Sequence, residues 1–152
     1  MTTAADREIV DDTLGTLVRG QLELSDGNLV DNGYFDLTCE LGGRRVTVMV
    51  TTADPDEARR LLPGVRRVVE DVEALRQRAT DEVVRRFSED TPTDEELADA
   101  RHDLVLDTIE ARSGGDVVLH LTDTCGSHFP DGYWPAVRLA PDGSITDVTV
   151  ES

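Results

Sequence analysis

The stretch HLTDTCGSHFPDGYWP, residues 120–135, gathers most of the reactive side chains of the chain: His120, Asp123, Cys125, His128, Asp131, Tyr133 and Trp134. His120, Asp123, Cys125 and His128 are metal-ligand candidates of mixed softness, and the Cys-x-x-His spacing of Cys125 and His128 occurs in zinc sites. Structural zinc usually takes four nitrogen or sulfur ligands, and the one histidine outside the loop is His102, so the sequence by itself assigns neither a metal nor a cofactor. Cys125 and His128 could form a nucleophile and base. No Gly-rich anion nest and no third orienting group accompany them, so no catalytic residue is assigned. The plainer reading makes Cys125 a small packed residue and leaves the imidazoles capping turns or facing water. What the loop offers most directly is a surface. Asp123, Asp131, Tyr133 and Trp134 are the partner-binding candidates.

Chemistry elsewhere is sparse. The chain has no GxxxxGK[ST] phosphate loop, GxGxxG turn, HExxH or GxSxG, which removes the common nucleotide, zinc-protease and serine-hydrolase readings. Asp103, Asp107 and Glu110 would share a face if their segment were helical, but in so acidic a chain they read as solvated charge.

The charge balance is lopsided. Among 152 residues, 32 are acidic and 15 basic, a formal charge of −17. Every basic residue is an arginine. A net anion is repelled by nucleic acid and by anionic membranes, so neither is expected as a partner. A basic protein is compatible, because an acidic patch steers one in. Solubility or a high-salt environment would call for the same surplus.

Residues 1–12 are polar and read as flexible. They lack the basic start and apolar run of a signal peptide, and no stretch reaches the roughly 20 apolar residues of a spanning helix. The expectation is one soluble cytoplasmic domain, 1–152, with Cys39 and Cys125 as free thiols.

The elements that would position the loop follow from periodicity. Residues 34–41 alternate, Gly42-Gly43 permits a two-residue turn, and 44–52 alternate again, which predicts a hairpin. Before it, 14–18 and 21–24 read as a strand bent or bulged at Gly20. Ser25-Asp26-Gly27-Asn28 and Asp31-Asn32-Gly33 read as turns. Asp54-Pro55-Asp56-Glu57 predicts a helix start, with a short helix ended or kinked at Pro63-Gly64. Residues 65–87 then place Val65, Val68, Val72, Leu75, Ala79 and Val83 on one stripe, which predicts a single helix roughly 34 Å long. Its outer face collects Arg66, Arg67, Arg76, Arg78, Arg85 and Arg86. Thr93-Asp94-Glu95-Glu96 is a capping box for a short third helix. Residues 103–112 fit strand or helix. The strand is preferred because Gly114-Gly115 and the clean strand 116–122 follow directly. A strand over 134–140, pushed by Pro135 toward an edge or a late start, and a last strand over 145–151, bulged between Ile145 and Val148, complete the chain.

Strands, then helices, then strands indicate an α+β fold: an antiparallel sheet of about six to seven strands, with a long central helix and two short helices on one face.

Taken in order, LGTL, YFDLTCELGGRRVTVMV, the DPDEA helix start, LVLDTI, GGDVVLHL and PDGYWPAVRLAPDG resemble small bacterial domains of unknown function, often encoded beside polymorphic toxins, some as presumed immunity proteins. Those families carry F-x-G-H-x-[IV]-x-V near the end, followed by an acidic-Gly turn. Gly132, Tyr133, Trp134, Val137, Asp142 and Gly143 match that segment, with Tyr133 where the family usually has His. The resemblance implies a non-enzymatic binding protein that blocks a basic, toxin-like partner. Two other readings stand beside it. One is an enzyme or metal-dependent protein using the 120–134 loop. The other is a homodimeric structural module whose exposed strand edge pairs with its copy.

Overall fold

The structure is a computed structural model that describes residues 7–152. Eight strands form one sheet in sequential order. They are β1 (Glu8–Asp11), β2 (Gly15–Glu23), β3 (Leu29–Leu41), β4 (Arg44–Thr51), β5 (Leu104–Arg112), β6 (Val117–Asp123), β7 (Trp134–Leu139) and β8 (Ile145–Glu151). Between β4 and β5 come three helices, α1 (Pro55–Glu70), α2 (Val72–Phe87) and α3 (Asp94–Asp103). No helix among the described residues is long and apolar enough to cross a membrane.

Two features of the expected architecture are overturned. The sheet is mixed and has eight strands, because β4 and β5 are parallel while the other neighbouring pairs are antiparallel. Hairpins join every other neighbouring pair, but the helical excursion is long enough to bring the chain back, so β5 enters beside β4 in the same direction. The eighth strand is β1, inside the segment expected to be flexible. Its Ile9 is buried against Leu17 of β2. The rest of that expectation, residues 1–6, lies outside the described residues.

The single long helix is also overturned. The chain runs helically through Pro63 and Gly64 and breaks instead at Asp71, whose amide reaches back to the Val68 carbonyl at 3.3 Å. Pro63 costs one backbone hydrogen bond and strains the preceding turn. Ala58, Leu62, Val65 and Val68 are all buried on the same face of α1, and at about 1.5–3 kcal/mol for each large side chain their packing outweighs that cost. A straight helix over 55–87 would run to about 50 Å, longer than the roughly 34 Å width of eight strands. The break at Asp71 lets both halves lie on the sheet. Accordingly α1 packs over β1, β4 and β5, and α2 over β5, β7 and β8.

The core is one continuous cluster. Val46, Val48 and Val50 of β4, Ile109 of β5 and Leu119 and Leu121 of β6 face Val65, Ala79 and Val83 of the helices. The opposite face of the sheet carries no described helix.

Several local signals appear where expected. Asp54 caps α1 by accepting from the Asp56 amide at 3.0 Å, and Thr93 caps α3 by accepting from the Glu96 amide at 3.1 Å. Gly42 and Gly43 adopt φ of 60° and 80° in the β3–β4 turn. Residues 103–112 yield a strand, paired with β6 around Gly114-Gly115. The β7–β8 register slips between Arg138 and Leu139, which leaves Thr146 as the bulged residue. Asp31-Asn32-Gly33, expected as a turn, instead lies within β3, where the register against β2 shifts opposite Gly20. Pro135 sits on an interior strand, and pairing of β7 with β6 starts one residue later, at Ala136, where the missing amide no longer matters.

The outer arginines of the helices are mostly tied into the fold. Arg66 of α1 pairs with the buried Asp11 of β1. Arg101 of α3 forks onto both oxygens of Asp81 in α2, at 2.7 and 2.6 Å. Arg76 donates to the carbonyls of Arg101 and Leu104, both at 2.7 Å, and so caps the end of α3. These ties fix the junction of α3 and β5, where Asp103 stands.

Candidate functional site

The loop between β6 and β7 folds around one carboxylate. Asp123, the last residue of β6, accepts the backbone amides of His128 at 2.8 Å, Phe129 at 3.0 Å and Cys125 at 3.2 Å. Burial alone would raise its pKa, but these amides outweigh it and hold the carboxyl below its ordinary value. Thr124 fastens the loop to the end of α3, donating its amide and hydroxyl to the Asp103 carbonyl at 2.9 and 2.8 Å. Phe129 packs edge-on against Phe87 of α2, with ring centroids 6.0 Å apart. Gly126 and Gly132 turn the chain at φ of 71° and 83°, which other residues rarely adopt.

This folding separates the candidates of the sequence into three places. Cys125 and His128 come together with Asp103, their donor atoms all within 4.8 Å of one another. His128 Nε2 lies 2.9 Å from Asp103 Oδ2, and His102 Nδ1 lies 3.0 Å from Oδ1. The bonds from His128 and then His102 hold the Asp103 carboxyl at about 2. Cys125 Sγ contacts Ser127 Oγ at 2.8 Å and Asp123 Oδ1 at 3.3 Å. The Cys125 sulfur makes these contacts rather than a hydrogen bond to His128, whose Nε2 goes to Asp103. Cys125 is exposed and Cys39 half-buried, and both are free thiols. The packed role expected for Cys125 does not hold.

His120 is in a different place, on the uncovered face of the sheet. Its Nδ1 receives the Trp134 indole N–H at 3.0 Å, and its Nε2 lies 2.9 Å from Glu110 Oε1. Thr51 Oγ1 donates to the other Glu110 oxygen at 2.8 Å. The His120 bond is the main reason that the Glu110 carboxyl is held at about 2, against the opposing effect of burial.

The third place is a cleft of about 310 Å³ that brings together all four partner-binding candidates, Asp123, Asp131, Tyr133 and Trp134. Asp107 joins them. It is the residue skipped by the β5–β6 register, between Leu106 opposite Leu121 and Thr108 opposite His120, and a bulge of this kind re-aims its side chain. The cleft lining has three carboxylates and two large aromatics besides Phe129, and no basic side chain. Asp123 is occupied by the loop amides, which leaves Asp107 and Asp131 to face solvent. A larger cleft, about 580 Å³, lies under the helix break, but its rim mixes Arg67 and Arg78 with Asp71 and Asp142 and selects no charge.

Sequence reasoning missed Asp103, Asp107 and Glu110 as site residues, since acidic residues are everywhere in this chain. The signal that finds them is the β5–β6 hairpin. Its register sets Leu104 opposite Asp123 and Thr108 opposite His120, so β5 must run beside every candidate on β6. No family model, curated protein or solved structure matches the chain.

Proposed function

We propose that the protein is a non-enzymatic binding protein that covers a basic partner protein, in the manner of an immunity protein or antitoxin, and receives a cationic side chain in the cleft of Asp107, Asp131, Tyr133 and Trp134. The observation that carries this reading is the lining: carboxylates and aromatic faces together, with no basic group to neutralise them. A guanidinium or ammonium over an aromatic ring gains about 0.5–2 kcal/mol, more as water is excluded, and the adjacent carboxylates add charge-assisted hydrogen bonds. The overall charge of −17 would steer such a partner at long range. Trp134 is the chain's single tryptophan, so its fluorescence reports on the cleft directly. Titration with an arginine-rich peptide should shift that emission, salt should weaken the effect, and Asp131→Asn and Tyr133→Ala should each reduce affinity. An equal response to an uncharged peptide of the same length would defeat the reading. Co-purification with the product of an adjacent gene is the corresponding test on a natural partner.

A second reading, the homodimer, draws on a different observation. Val10, Val18, Leu22 and Val30 are exposed on β1–β3, with Val10 at 73%. Val10 lies on the edge strand β1 itself and Val18 on its neighbour, and such an edge can pair with a copy. Light scattering that finds a monomer at high concentration would exclude it.

A further inference from the structure

We infer that Asp103, Cys125 and His128 form a binding site for a divalent transition-metal ion of the zinc class, with the fourth position open to water.

The donor set is one thiol, one imidazole and one carboxylate, with the three donor atoms within 4.8 Å of one another. A tetrahedral zinc ion with bonds of about 2.0–2.3 Å holds its ligands about 3.3–3.8 Å apart. Small side-chain rotations therefore close the site, and the hydrogen bond between His128 and Asp103 is exchanged for two bonds to the ion. Sulfur and nitrogen donors favour zinc, cobalt and similar ions over magnesium or calcium, which prefer oxygen.

The backbone holds these donors in place. Asp103 stands at the α3–β5 junction, which Arg76 clamps through the carbonyls on either side of it. Cys125 and His128 are set by the Asp123 carboxylate, which accepts the amides of both. Thr124 ties the two segments together through the Asp103 carbonyl. Supporting contacts of the kind that orient metal ligands are also present. His102 meets Asp103 at Oδ1, leaving Oδ2 for the ion, and Ser127 Oγ touches the Cys125 sulfur. On binding, the Cys125 thiol loses its proton to solvent and binds as thiolate, so the affinity rises with pH. This site lies beside the acidic aromatic cleft, and Asp123 borders both.

The test must distinguish this site from diffuse binding of cations to an acidic surface, and the thiolate does so. Purified full-length protein is titrated with Co²⁺ while the thiolate-to-cobalt charge-transfer absorption is followed. One equivalent should develop the band, and Zn²⁺ should displace the cobalt and erase it. Cys125→Ser should abolish the band, Cys39→Ser should keep it, and His128→Ala should weaken binding at least about tenfold. Cys125 and His128 are exposed, and circular dichroism verifies that their variants fold. Absence of the band in the wild type, its persistence in Cys125→Ser, or unchanged affinity in His128→Ala would overturn the assignment.

Discussion

The Trp134 indole donates to His120 Nδ1 at 3.0 Å, and this one bond orients a line of hydrogen bonds across the open sheet face. An indole N–H can only donate, so Nδ1 must accept. The neutral imidazole then carries its proton on Nε2, aimed at Glu110 Oε1 2.9 Å away. Thr51 donates to the far oxygen of Glu110, so the line spans β4 to β7. Trp134 is also a wall of the acidic cleft, and the line therefore fixes the cleft's shape.

Glu110 should contribute an acid-sensitive part of the stability. Its carboxyl has an ordinary value of 4.5 and is held at about 2 when folded. A depressed folded value stabilises the native state above the unfolded value, and that contribution fades as pH falls through the folded one. The stability difference between wild type and Glu110→Gln should be full above pH 4.5 and shrink steadily toward pH 2. Urea denaturation at a series of pH values, followed by Trp134 emission, measures it. A difference constant over that range would show that Glu110 stabilises by packing alone.

The space above Gly20 is taken by one side chain. An added Cβ there would lie 2.3 Å from the Tyr34 ring, which covers this position of β2. Gly20→Ala must push the ring away and should cost about 1–3 kcal/mol. In the background of Tyr34→Ala the same change should cost far less. A double-mutant cycle by denaturation gives the coupling, and additive effects would place the strain elsewhere.

Much of the fold was legible because its signals are local. The caps at Asp54 and Thr93, the turn at Gly42-Gly43 and the alternation on either side of it each need only a few neighbouring residues. What escaped depends on distant ones. Whether a helical stripe stays straight is decided by the width of the sheet beneath it, and Asp71 carries no mark as strong as Pro63. That β4 and β5 run parallel depends on how three helices fold back between them. The loop 120–134 stood out as the chemical centre, but the sequence grouped His120 with Cys125 and His128. The third member of their cluster is Asp103, 25 residues from His128 and reached only through the β5–β6 register.

The helix break changes which apolar residue is decisive. Val72, central to a straight helix over 65–87, is the first residue of α2 and only half-buried. A carboxylate there meets the favourable end of the helix dipole. Val65 is fully buried against the sheet. Val65→Asp should unfold the protein, since a buried unpaired charge is costly, while Val72→Asp should fold with a loss of about 1–2 kcal/mol. Circular dichroism and thermal melts compare the two. Equal damage would mean that the stripe is continuous after all.

The arginines of α2 differ in value despite their similar spacing. Arg86 pairs with Glu82 one turn away, at 3.1 Å, and more loosely with Asp147 of β8, at 3.6 Å, with its own side chain exposed to water. Such pairs contribute about 0.3–0.5 kcal/mol and are screened by salt. The Arg76 side chain is 13% exposed, and its Nη1 satisfies the carbonyls of Arg101 and Leu104 at once. Removing it leaves two part-buried acceptors at the end of α3 without their donor, at about 1–3 kcal/mol in all. Arg76→Met keeps the apolar stem and isolates that loss. It should destabilise by about 2 kcal/mol and speed amide exchange across the α3–β5 junction, whereas Arg86→Met, which removes only solvent-screened pairs, should change stability by less than about 1 kcal/mol. Because Asp103 stands between the two capped carbonyls, Arg76→Met should also weaken Co²⁺ binding while leaving the Cys125 charge-transfer band in place. A stability loss without that weakening would show that the loop alone, through Asp123 and Thr124, holds Asp103 against Cys125 and His128.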